Sequence, residues 1–515
     1  MAIVEALAPL SDGRRRLGLR SPLGETPIGE ITVATADDVA DAIRRARIAQ
    51  KAWAARTIEE RASIVNRAID AFLAHQEDII ATLRAETGKT RAECVFMEIL
   101  PACDFVNYWS ARAPKDLADH KRKIHGYLRP LKRLEIVYRP LGVVGVITPW
   151  NGPFSLATNP TVQALLAGNA VLLKPSEVTP ESSAWAIRCL HEAGVPKDVV
   201  QVLYGDGETG AALVRGGIDK ISFTGSVRTG TKIGVACAEQ LVPCTLELGG
   251  KDAMIVCADA NVERAARGAV FNSMLNTGQV CMGVERVYVM NEIADEFERI
   301  VREQVQALRY GPGEDVDVGA VFWDKQLDII KHHVEDARKR GATIDVGGEI
   351  DRALGVFYKP TLVTNVTHEM EIMREETFGP IVAIQRVGSE AEAIRLANDS
   401  EYGLSASVWT KDIEKGIRIA KQIEAGSVCI NDATLAYGVP EAPFDPSDDR
   451  KRQTLGPTRR LREYVESTPI KYVRKEPVAN LRLRSGYERD ESEYAGADFE
   501  ALKQSIQEEG GNITP

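Results

Sequence analysis

The hydrophobic residues in the first third of the chain are spaced as in amphipathic helices. Residues 35–54 open with Thr35 and Asp38, a Thr-x-x-Asp capping signal, and continue with apolar residues at helical spacing. Residues 57–87 repeat this pattern. The spacing therefore predicts helices over both stretches.

From residue 142 the pattern changes to short apolar runs separated by helix-like segments. The runs are LGVVGVITPW (141–150), AVLLKP (170–175), VVQVLYG (199–205), KISFTG (220–225) and CTLELGG (244–250), and the segments lie around 155–167, 179–193, 207–215 and 227–240. This alternation predicts crossover connections and a parallel sheet. Because such sheets bind ligands at the carboxyl ends of their strands, PWNG, KPSE, FTGS and ELGG are candidate binding segments.

A second alternating region covers residues 252–430. Its strand-like runs are AMIVC, RVYVM, ATIDV, IVAIQRV, SASVWT and SVCIN. The predicted fold class is therefore α/β, with two Rossmann-like parallel-sheet domains. Between the helical start and the first sheet, YLRPLKRLEIVYRP (127–140) alternates apolar and basic residues, which favours a small, exposed two-stranded arm that assembles by edge pairing.

Charge and hydropathy exclude some classes of partner. The 515 residues carry a formal charge of −10, whereas a nucleic-acid-binding protein needs a basic surface. The basic run GRRRLGLR (13–20) is expected to be a solvated arm. No apolar run reaches the roughly 20 residues that span a bilayer, and MAIVEALAPLSDG lacks the basic start of a signal peptide. We therefore expect neither a nucleic-acid nor a membrane partner.

The cysteines and histidines predict free thiols and no metal site. The eight cysteines include no CxxC pair, which is typical of a reducing compartment, so the expected location is cytoplasmic. The adjacent His332 and His333 have no cysteine or carboxylate at ligand spacing on the same face of their helix-like stretch.

Two strand-end motifs offer groups for a nucleotide. In FTGSVRTG (223–230), Gly225, Ser226 and Gly230 stand at a strand-to-helix junction, where backbone N–H groups and a hydroxyl can hold a phosphate. In LLKPSE (172–177), Glu177 can accept hydrogen bonds from ribose hydroxyls and would repel a 2′-phosphate, which favours NAD over NADP. Standing alone, each motif is more often an ordinary solvated turn.

Two further residues are candidates for catalysis. Glu247 in ELGGKDA (247–253) ends an apolar run before two glycines, and it is either a catalytic carboxylate or an ordinary solvated acid. Cys281 is the one cysteine that follows a polar, glycine-containing stretch, NTGQV. Since a free cysteine is usually a small buried hydrophobe, the local sequence leaves both alternatives open.

The order of these motifs along the chain resembles that of the aldehyde dehydrogenase superfamily, in its non-acylating branch. The matching segments are PWNGPF (149–154), GNAVLLKPSEVTP (168–180), FTGSVRTG (223–230), LELGGKDAMIV (246–256), NTGQVC (276–281), EETFGP (375–380) and NDSEYGLSASVWT (398–410). The resemblance covers residues 30–444 and resumes at 461–474.

The resemblance implies a mechanism and assigns its residues. Cys281 would be the nucleophile, which needs activation because a free thiol has a pKa of about 8.5. The Asn151 side-chain amide and the Cys281 backbone N–H would stabilise the oxyanion, and Glu247 would activate the water that hydrolyses the thioester. Hydride would pass to NAD, with NADP as the alternative cofactor. The cofactor contacts implied in this way are Pro149, Trp150, Lys174, Ser176, Glu177, Gly225, Ser226, Gly230, Leu248, Glu376 and Phe378.

The resemblance also implies a division into domains and an oligomer. Residues 1–125 and 142–247 would form a discontinuous cofactor-binding domain, and residues 248–444 the catalytic domain. Residues 126–141 and 461–474 would form the oligomerisation arm of a homodimer or homotetramer.

The end of the chain departs from the family pattern. Residues 445–460, DPSDDRKRQTLGPTRR, contain one glycine, Gly456, where the family has several. Two explanations stand: real divergence that alters a lid, or two compensating frameshifts that keep the length. The highly charged residues 475–515 are expected to be a disordered tail or, alternatively, a tail that docks on a neighbouring subunit.

The leading hypothesis is NAD-dependent oxidation of an aldehyde to a carboxylic acid. One alternative is a CoA-acylating semialdehyde dehydrogenase, a branch that usually lacks the base at the position of Glu247. The other is a catalytically impaired cofactor-binding or structural homologue. Gly152 stands where many members place an aromatic ring, so we expect a roomier pocket and a bulkier or aromatic aldehyde.

Overall fold

The computed structural model describes residues 3–24, 26–126, 129, 131–351, 353–354, 356–434 and 438–440, and the backbone of 465–473. The described residues of 1–119 and 138–466 form one compact unit, and those of 120–137 and 467–473 belong to a second. Within these described ranges, no helix is both long enough and apolar enough to cross a membrane.

Sixteen helices occur in the described ranges. They are α1 (Ala36–Ala54), α2 (Ile58–Asn66), α3 (Ala68–Ala74), α4 (Gln76–Thr87), α5 (Arg91–Glu93), α6 (Leu100–Asp116), α7 (Ser155–Leu166), α8 (Pro180–Glu192), α9 (Gly207–Arg215), α10 (Val227–Gln240), α11 (Val262–Met274), α12 (Asn291–Ala307), α13 (Asp324–Lys339), α14 (Glu371–Arg374), α15 (Glu390–Asn398) and α16 (Ile413–Ala420). A π-helical segment, Cys94–Ile99, joins α5 to α6.

The capping signal at the start of α1 is confirmed. The Asp38 backbone N–H donates to Thr35 Oγ1 at 3.1 Å, and the Thr35 N–H donates to Asp38 Oδ2 at 2.9 Å. The helical pattern over 57–87 is divided among α2, α3 and α4, with breaks at Arg67 and His75. Both α3 and α4 pack on α8.

The expectation of a solvated arm at residues 13–20 is wrong for residues 16–20, which form a strand, whereas residues 13–15 are exposed. Strands β1 (Val4–Leu7), β2 (Arg16–Arg20) and β3 (Pro27–Thr32) form an antiparallel sheet with β2 at its centre. Leu19 is buried, while Arg16 Nη1 lies 2.7 Å from Glu30 Oε1. Apolar and basic residues alternate here because β2 has one inner and one outer face.

A three-stranded sheet replaces the expected two-stranded arm. Of the described residues in 127–140, those of β5 (Lys132–Pro140) form a single strand. Its neighbours are β4 (His120–Arg122), which is antiparallel to it, and β20 (Val465–Val473). The atypical segment 445–460 and the tail 475–515 lie outside the described residues, so both pairs of alternatives remain open.

The first parallel sheet has five strands, at the positions of the five predicted apolar runs. They are β6 (Val143–Ile147), β7 (Ala170–Lys174), β8 (Val200–Val202), β9 (Lys220–Thr224) and β10 (Cys244–Glu247). The order is β10-β9-β6-β7-β8, and every neighbouring pair is parallel. All residues of β6 and β7 are buried, as in a sheet covered by helices on both faces.

The second sheet has seven strands in the order β13-β16-β17-β12-β11-β18-β19. They are β11 (Asp252–Val256), β12 (Val284–Met290), β13 (Thr343–Val346), β16 (Thr361–Thr364), β17 (Ile381–Val387), β18 (Ser405–Trp409) and β19 (Ser427–Ile430). Six of them were predicted, and β16 was missed. Only β13 is antiparallel to its neighbour. A separate pair, β14 (Ile350–Asp351) and β15 (Phe357–Tyr358), was also missed.

Candidate active site

The carboxyl ends of β6, β7 and β9 open into a cleft of about 740 Å³. The strand order reverses at β6, which is where ligands bind in sheets of this kind. The volume is within the range of natural ligand pockets. The predicted residues that line it are Pro149 and Trp150 after β6, Lys174, Ser176 and Glu177 at and after the end of β7, and Gly225 and Ser226 after β9.

The end of β7 presents a cation beside a carboxylate. Lys174 is buried, and its Nζ lies 3.4 Å from Glu177 Oε2. The Glu177 side chain is 34% exposed, so its oxygens face the cleft and can accept bonds from hydroxyl groups. Ser176 is buried, and its Oγ accepts a hydrogen bond of 3.2 Å from the Val178 N–H, which fixes the turn.

The N-terminus of α10 faces the same cleft. Ser226 is its N-cap: the Oγ accepts from the Thr229 N–H at 3.4 Å and donates to Thr229 Oγ1 at 3.2 Å. Gly230 lies in the first turn of α10, where a Cβ atom would be 2.4 Å from Leu248 Cδ2. Because Gly230 has no Cβ atom, α10 can pack closely against the ELGG segment. The cleft therefore fits a dinucleotide, with diol acceptors at β7 and a phosphate-binding helix terminus after β9.

A further cavity of about 350 Å³ continues towards the second sheet. Cys281, Asn151, Leu248, Glu376 and Phe378 all line it, together with Pro149, Trp150, Gly225 and Ser226. The Trp150 ring packs edge-on against the rings of Phe378 and Phe322, with centroid distances of 5.4 and 5.0 Å. The structure thus brings together strand-end residues of the first sheet and the NTGQVC and EETFGP motifs.

The surroundings of Cys281 oppose ionisation. Burial, and after it the negative charges of Glu376, Asp252 and Glu247, together raise the pKa of its thiol to about 12. Burial likewise raises the pKa values of Glu376 and Asp252 to about 8. The expectation of an activated thiol therefore needs a source of positive charge or a proton acceptor beyond these side chains.

The Asn151 amide is oriented by the nucleophile loop. Its Nδ2 donates to the Gln279 carbonyl at 3.0 Å, two residues before Cys281. An amide nitrogen carries two N–H groups, so one remains for a group in the cavity that Asn151 lines. The loop itself is strained, since Asn276 and Thr277 have φ values of 54° and 58°. Such conformations cost about 1–3 kcal/mol each and are concentrated at functional sites.

Glu247 ends β10 beside the cavity, but its side chain is not among those that line it. Its backbone carbonyl accepts a hydrogen bond of 2.9 Å from the Gly225 N–H. Its charge acts on Cys281, as the raised pKa of that thiol records.

Sequence reasoning missed the residues that hold the EETFGP segment. Glu285 accepts the backbone N–H groups of Thr377 and Phe378 at 2.8 and 2.9 Å. The Lys251 Nζ lies 2.5 Å from Glu285 Oε2. Lys251 precedes β11 and Glu285 lies in β12, so the parallel register that pairs Asp252 with Val284 brings them together. The only available signal was their position within two motifs, LELGGKDA and NTGQVCMGVER.

Two glycines set the contact between the motifs. A Cβ atom on Gly278 would lie 2.0 Å from the Gly379 carbonyl oxygen, and Gly278 has φ +72°. NTGQVC and EETFGP therefore touch backbone to backbone, and no other residue type fits at Gly278.

The fold and the cleft define the general class first: an α/β enzyme of the Rossmann-like, nucleotide-binding type. The aldehyde dehydrogenase family profile matches residues 10–445. A putative succinate-semialdehyde dehydrogenase [NADP(+)] of Mycolicibacterium smegmatis is 38% identical over 457 residues, which are 88% of this chain and 86% of the relative. A 4,4'-diapolycopene aldehyde oxidase of Methylomonas sp is 37% identical over 424 residues, 82% of this chain and 79% of the relative.

The solved structures agree. The Mycobacterium tuberculosis aldehyde dehydrogenase complexed with NAD+ superposes with a TM-score of 0.84 and 32% identity, over 90% of this chain and 96% of that one. The chain belongs to the aldehyde dehydrogenase family. The predicted family, fold class and enzyme class are confirmed, and the CoA-acylating and non-catalytic alternatives are not favoured.

Proposed function

We propose that this chain oxidises an aldehyde to the carboxylic acid, with NAD as the hydride acceptor and NADP as the alternative cofactor. One observation carries the proposal: Cys281 and Asn151 line the same cavity as Trp150, Glu376 and Phe378. The thiol, the amide donor and the dinucleotide cleft therefore meet at one place. The net reaction consumes aldehyde, water and the oxidised cofactor, and it yields acid, reduced cofactor and a proton.

Cys281 gives its proton to solvent water and then attacks the aldehyde carbon as the thiolate. Burial and, after it, the neighbouring carboxylates oppose this proton loss, because they raise the pKa of the thiol. When bound, the oxidised nicotinamide ring supplies a positive charge and accepts the hydride. The groups that would hold the dinucleotide are Lys174, Ser176, Glu177, Gly225 and Ser226 in the larger cleft, and Pro149, Trp150, Leu248, Glu376 and Phe378 around the Cys281 cavity. Gly230 lines neither cavity and would act by letting α10 pack against Leu248.

The Asn151 amide and the Cys281 backbone N–H stabilise the oxyanion that forms on the attacked carbonyl. The bond from Asn151 Nδ2 to the Gln279 carbonyl uses one N–H, so the second is available to a group in the cavity that Asn151 lines. One preorganised donor of this kind is typically worth about 3–4 kcal/mol in the transition state.

Glu247 takes a proton from the water that hydrolyses the thioester. Support comes from its position at the end of β10, beside the cavity, and from its electrostatic effect on Cys281. Its side chain must turn towards the thioester for this step, because it does not line the cavity as it stands.

Glu177 bears on the choice of cofactor, and the space beside Gly152 bears on the size of the substrate. The partly exposed Glu177 carboxylate suits ribose hydroxyls and repels a 2′-phosphate, which favours NAD, although the M. smegmatis relative is named for NADP. At Gly152, a Cβ atom would lie 3.0 Å from Leu156 Cδ1. Leu156, which lines the cavity, thus occupies part of the space beside Gly152 and opposes the expected roomier pocket. We propose that a bulkier or aromatic aldehyde is accepted when the Leu156 side chain moves.

We also infer a cytoplasmic homodimer or homotetramer. The eight cysteines are all free, as in a reducing compartment. Among the described strands, β20 has a partner on one side only, so its other edge is suited to pairing with a second copy.

A spectrophotometric assay of NADH formation tests the proposal, with benzaldehyde-like, long aliphatic and succinic semialdehyde substrates. Cys281→Ser should lower turnover by about 10⁴-fold or more, since the nucleophile is removed. Cys103→Ser changes a half-buried thiol on α6 and is the matched control. The proposal fails if no aldehyde is oxidised by protein that binds NAD normally, or if the Cys281 variant keeps full activity.

A further inference from the structure

A buried ammonium group lies behind the wall of the active site. Lys89 is 2% exposed and follows Gly88, the left-handed residue that ends α4. A Cβ atom on Gly88 would lie 2.7 Å from Ala320 Cβ. The close packing at Gly88 fixes the backbone from which the Lys89 side chain starts.

The Lys89 ammonium makes two hydrogen bonds and one ion pair, all with protein groups. Its Nζ donates to the Asn151 carbonyl at 2.7 Å and to Asn276 Oδ1 at 2.6 Å, and it lies 3.2 Å from Glu98 Oε1. Lys89 is not among the residues that line either cavity of the candidate active site. Lys89 therefore acts on the protein.

Asn276 transmits this contact to the nucleophile loop. Its Nδ2 donates to the carbonyls of Asn151 and Gln279, both at 3.0 Å. The Gln279 carbonyl is also the acceptor that orients the Asn151 amide. The ammonium thus fixes the backbone of Asn151 directly and the acceptor of its side chain through Asn276.

Glu98 holds the other end of the PWNGPF motif. Its side chain is wholly buried, and Oε2 accepts the backbone N–H groups of Phe154 and Ser155 at 3.1 and 2.9 Å. Lys89 and Glu98 therefore form an ion pair that contacts the PWNGPF motif on both sides of Gly152. Lys89 binds the Asn151 carbonyl, and Glu98 binds the N–H groups of Phe154 and Ser155.

We propose that the Lys89–Glu98 ion pair positions the Asn151 amide for oxyanion stabilisation. Both are positioning residues, since neither touches the cavity. The inference rests on the proposed role of Asn151. It predicts that the ion pair matters for turnover only while the amide is present.

A double-mutant cycle tests this dependence. Lys89→Met with Glu98→Gln removes both charges at nearly constant volume and leaves no unpaired buried ion. In the wild-type background we expect kcat to fall by about 10–100-fold, part of the loss that a missing donor causes. In an Asn151→Ala background the same two substitutions should lower kcat by less than about 3-fold, because the effects of substitutions at coupled residues are not additive.

Further readouts separate positioning from general damage. The Kd for NAD and the rate of Cys281 alkylation by iodoacetamide should stay within about 2-fold of the parent, since neither uses the oxyanion donors. Glu86→Gln is the matched control: Glu86 is also buried and accepts two N–H groups at the start of α8, those of Glu181 and Ser182. It should leave kcat unchanged.

Defined outcomes overturn the proposal. An equal loss in both backgrounds, an unchanged kcat, or a parallel loss of NAD binding would each do so. If the double variant does not fold, Glu98→Gln alone enters the same cycle, with an expected fall of several-fold. Full activity of Asn151→Ala would instead contradict the proposed function itself, so the two failures are distinguishable.

Discussion

The two ends of the cleft are built differently. At the nucleophile end, Asn151, Asn276 and Gln279 are buried and share a dense set of hydrogen bonds. At the end of the cleft beside β7, where we propose that the adenosine ribose binds and which we call the adenosine end, Glu177 is 34% exposed and its Oε2 lies 3.4 Å from Lys174 Nζ.

This difference separates an end of the cleft that must be rigid from an end whose residues can vary. The nucleophile end keeps strained backbone and a protonated thiol in place, so a small displacement there removes catalysis. In the proposed function, the adenosine end selects the cofactor through a solvated carboxylate, so we expect a single substitution to change the preference between NAD and NADP. We therefore expect the effects of mutation and pH to decrease from the first end to the second.

Among the effects that compare the two ends of the cleft, the largest expected one is the pH dependence of Cys281 reactivity. Only the thiolate is alkylated, and burial raises the pKa of this thiol to about 12. Below that pKa the thiolate fraction rises tenfold for each pH unit, so the alkylation rate should increase by about 1000-fold from pH 7 to pH 10. Mass spectrometry of the alkylated peptides measures the rate at each cysteine.

Cys244 provides an internal reference. A hydrogen bond from the Cys237 thiol lowers the pKa of Cys244, so its rate should level off at a much lower pH. A plateau for Cys281 near neutral pH, alongside that of Cys244, would show that the nucleophile end does not hold the proton as described.

Asn151→Ala should have the next largest effect. It removes the oxyanion donor, and kcat should fall by about 100–1000-fold, while the Kd for NAD stays close to its parent value. Stopped-flow measurement of NADH formation gives the first quantity, and fluorescence titration gives the second. Asn151→Asp, of similar size but without donors, should be at least as impaired; activity near that of the wild type in either variant would remove Asn151 from the mechanism.

The parallel sheets were predictable from sequence, because their strands are short apolar runs that end in distinctive motifs. All five predicted strands of the first sheet formed, from β6 at Val143–Ile147 to β10 at Cys244–Glu247. The N-terminal strand β2 was not recognised, since arginines at both ends made a two-faced strand resemble a solvated run. The charged residues alone did not show whether one face of a strand or a whole segment of the chain is exposed to solvent.

Residues that act through tertiary contacts could not be identified from the sequence motifs. The pairing of Lys251 with Glu285 depends on the register of β11 and β12 across 34 positions in sequence. Lys89 lies 187 positions from Asn276. Sequence spacing located the groups that line the cleft, but the second layer of contacts requires knowledge of which loops meet.

Glu285→Gln tests how the Phe378 end of the cofactor cleft is held. It weakens the acceptor for the Thr377 and Phe378 N–H groups, and it leaves the buried Lys251 without a counter-charge. Loss of a hydrogen bond to a charged group is worth roughly 1.5–3 kcal/mol, so the KM for NAD should rise by about tenfold or more. Initial rates at varied NAD measure it.

The matched control is an exposed ion pair in the same domain. Glu303 pairs with Arg299 on the surface of α12, and the two side chains are 60% and 54% exposed. Glu303→Gln should leave the KM for NAD unchanged. Equal KM values in the Glu285 and Glu303 variants would mean that the EETFGP segment is held by other contacts.

The smallest expected effect concerns the choice between NAD and NADP. Glu177→Gln keeps the shape of the side chain and removes the charge that opposes a 2′-phosphate. The ratio of kcat/KM for NADP to that for NAD should rise by about tenfold, equivalent to roughly 1.4 kcal/mol. Glu181→Gln, on the first turn of α8 and paired with Arg188, changes an acid outside the cleft and should leave the ratio unaltered. Because Glu177 is solvated, added salt should reduce the difference in this ratio between the wild type and the Glu177→Gln variant. If the substitution does not change the ratio at low salt, cofactor selection lies elsewhere in the cleft.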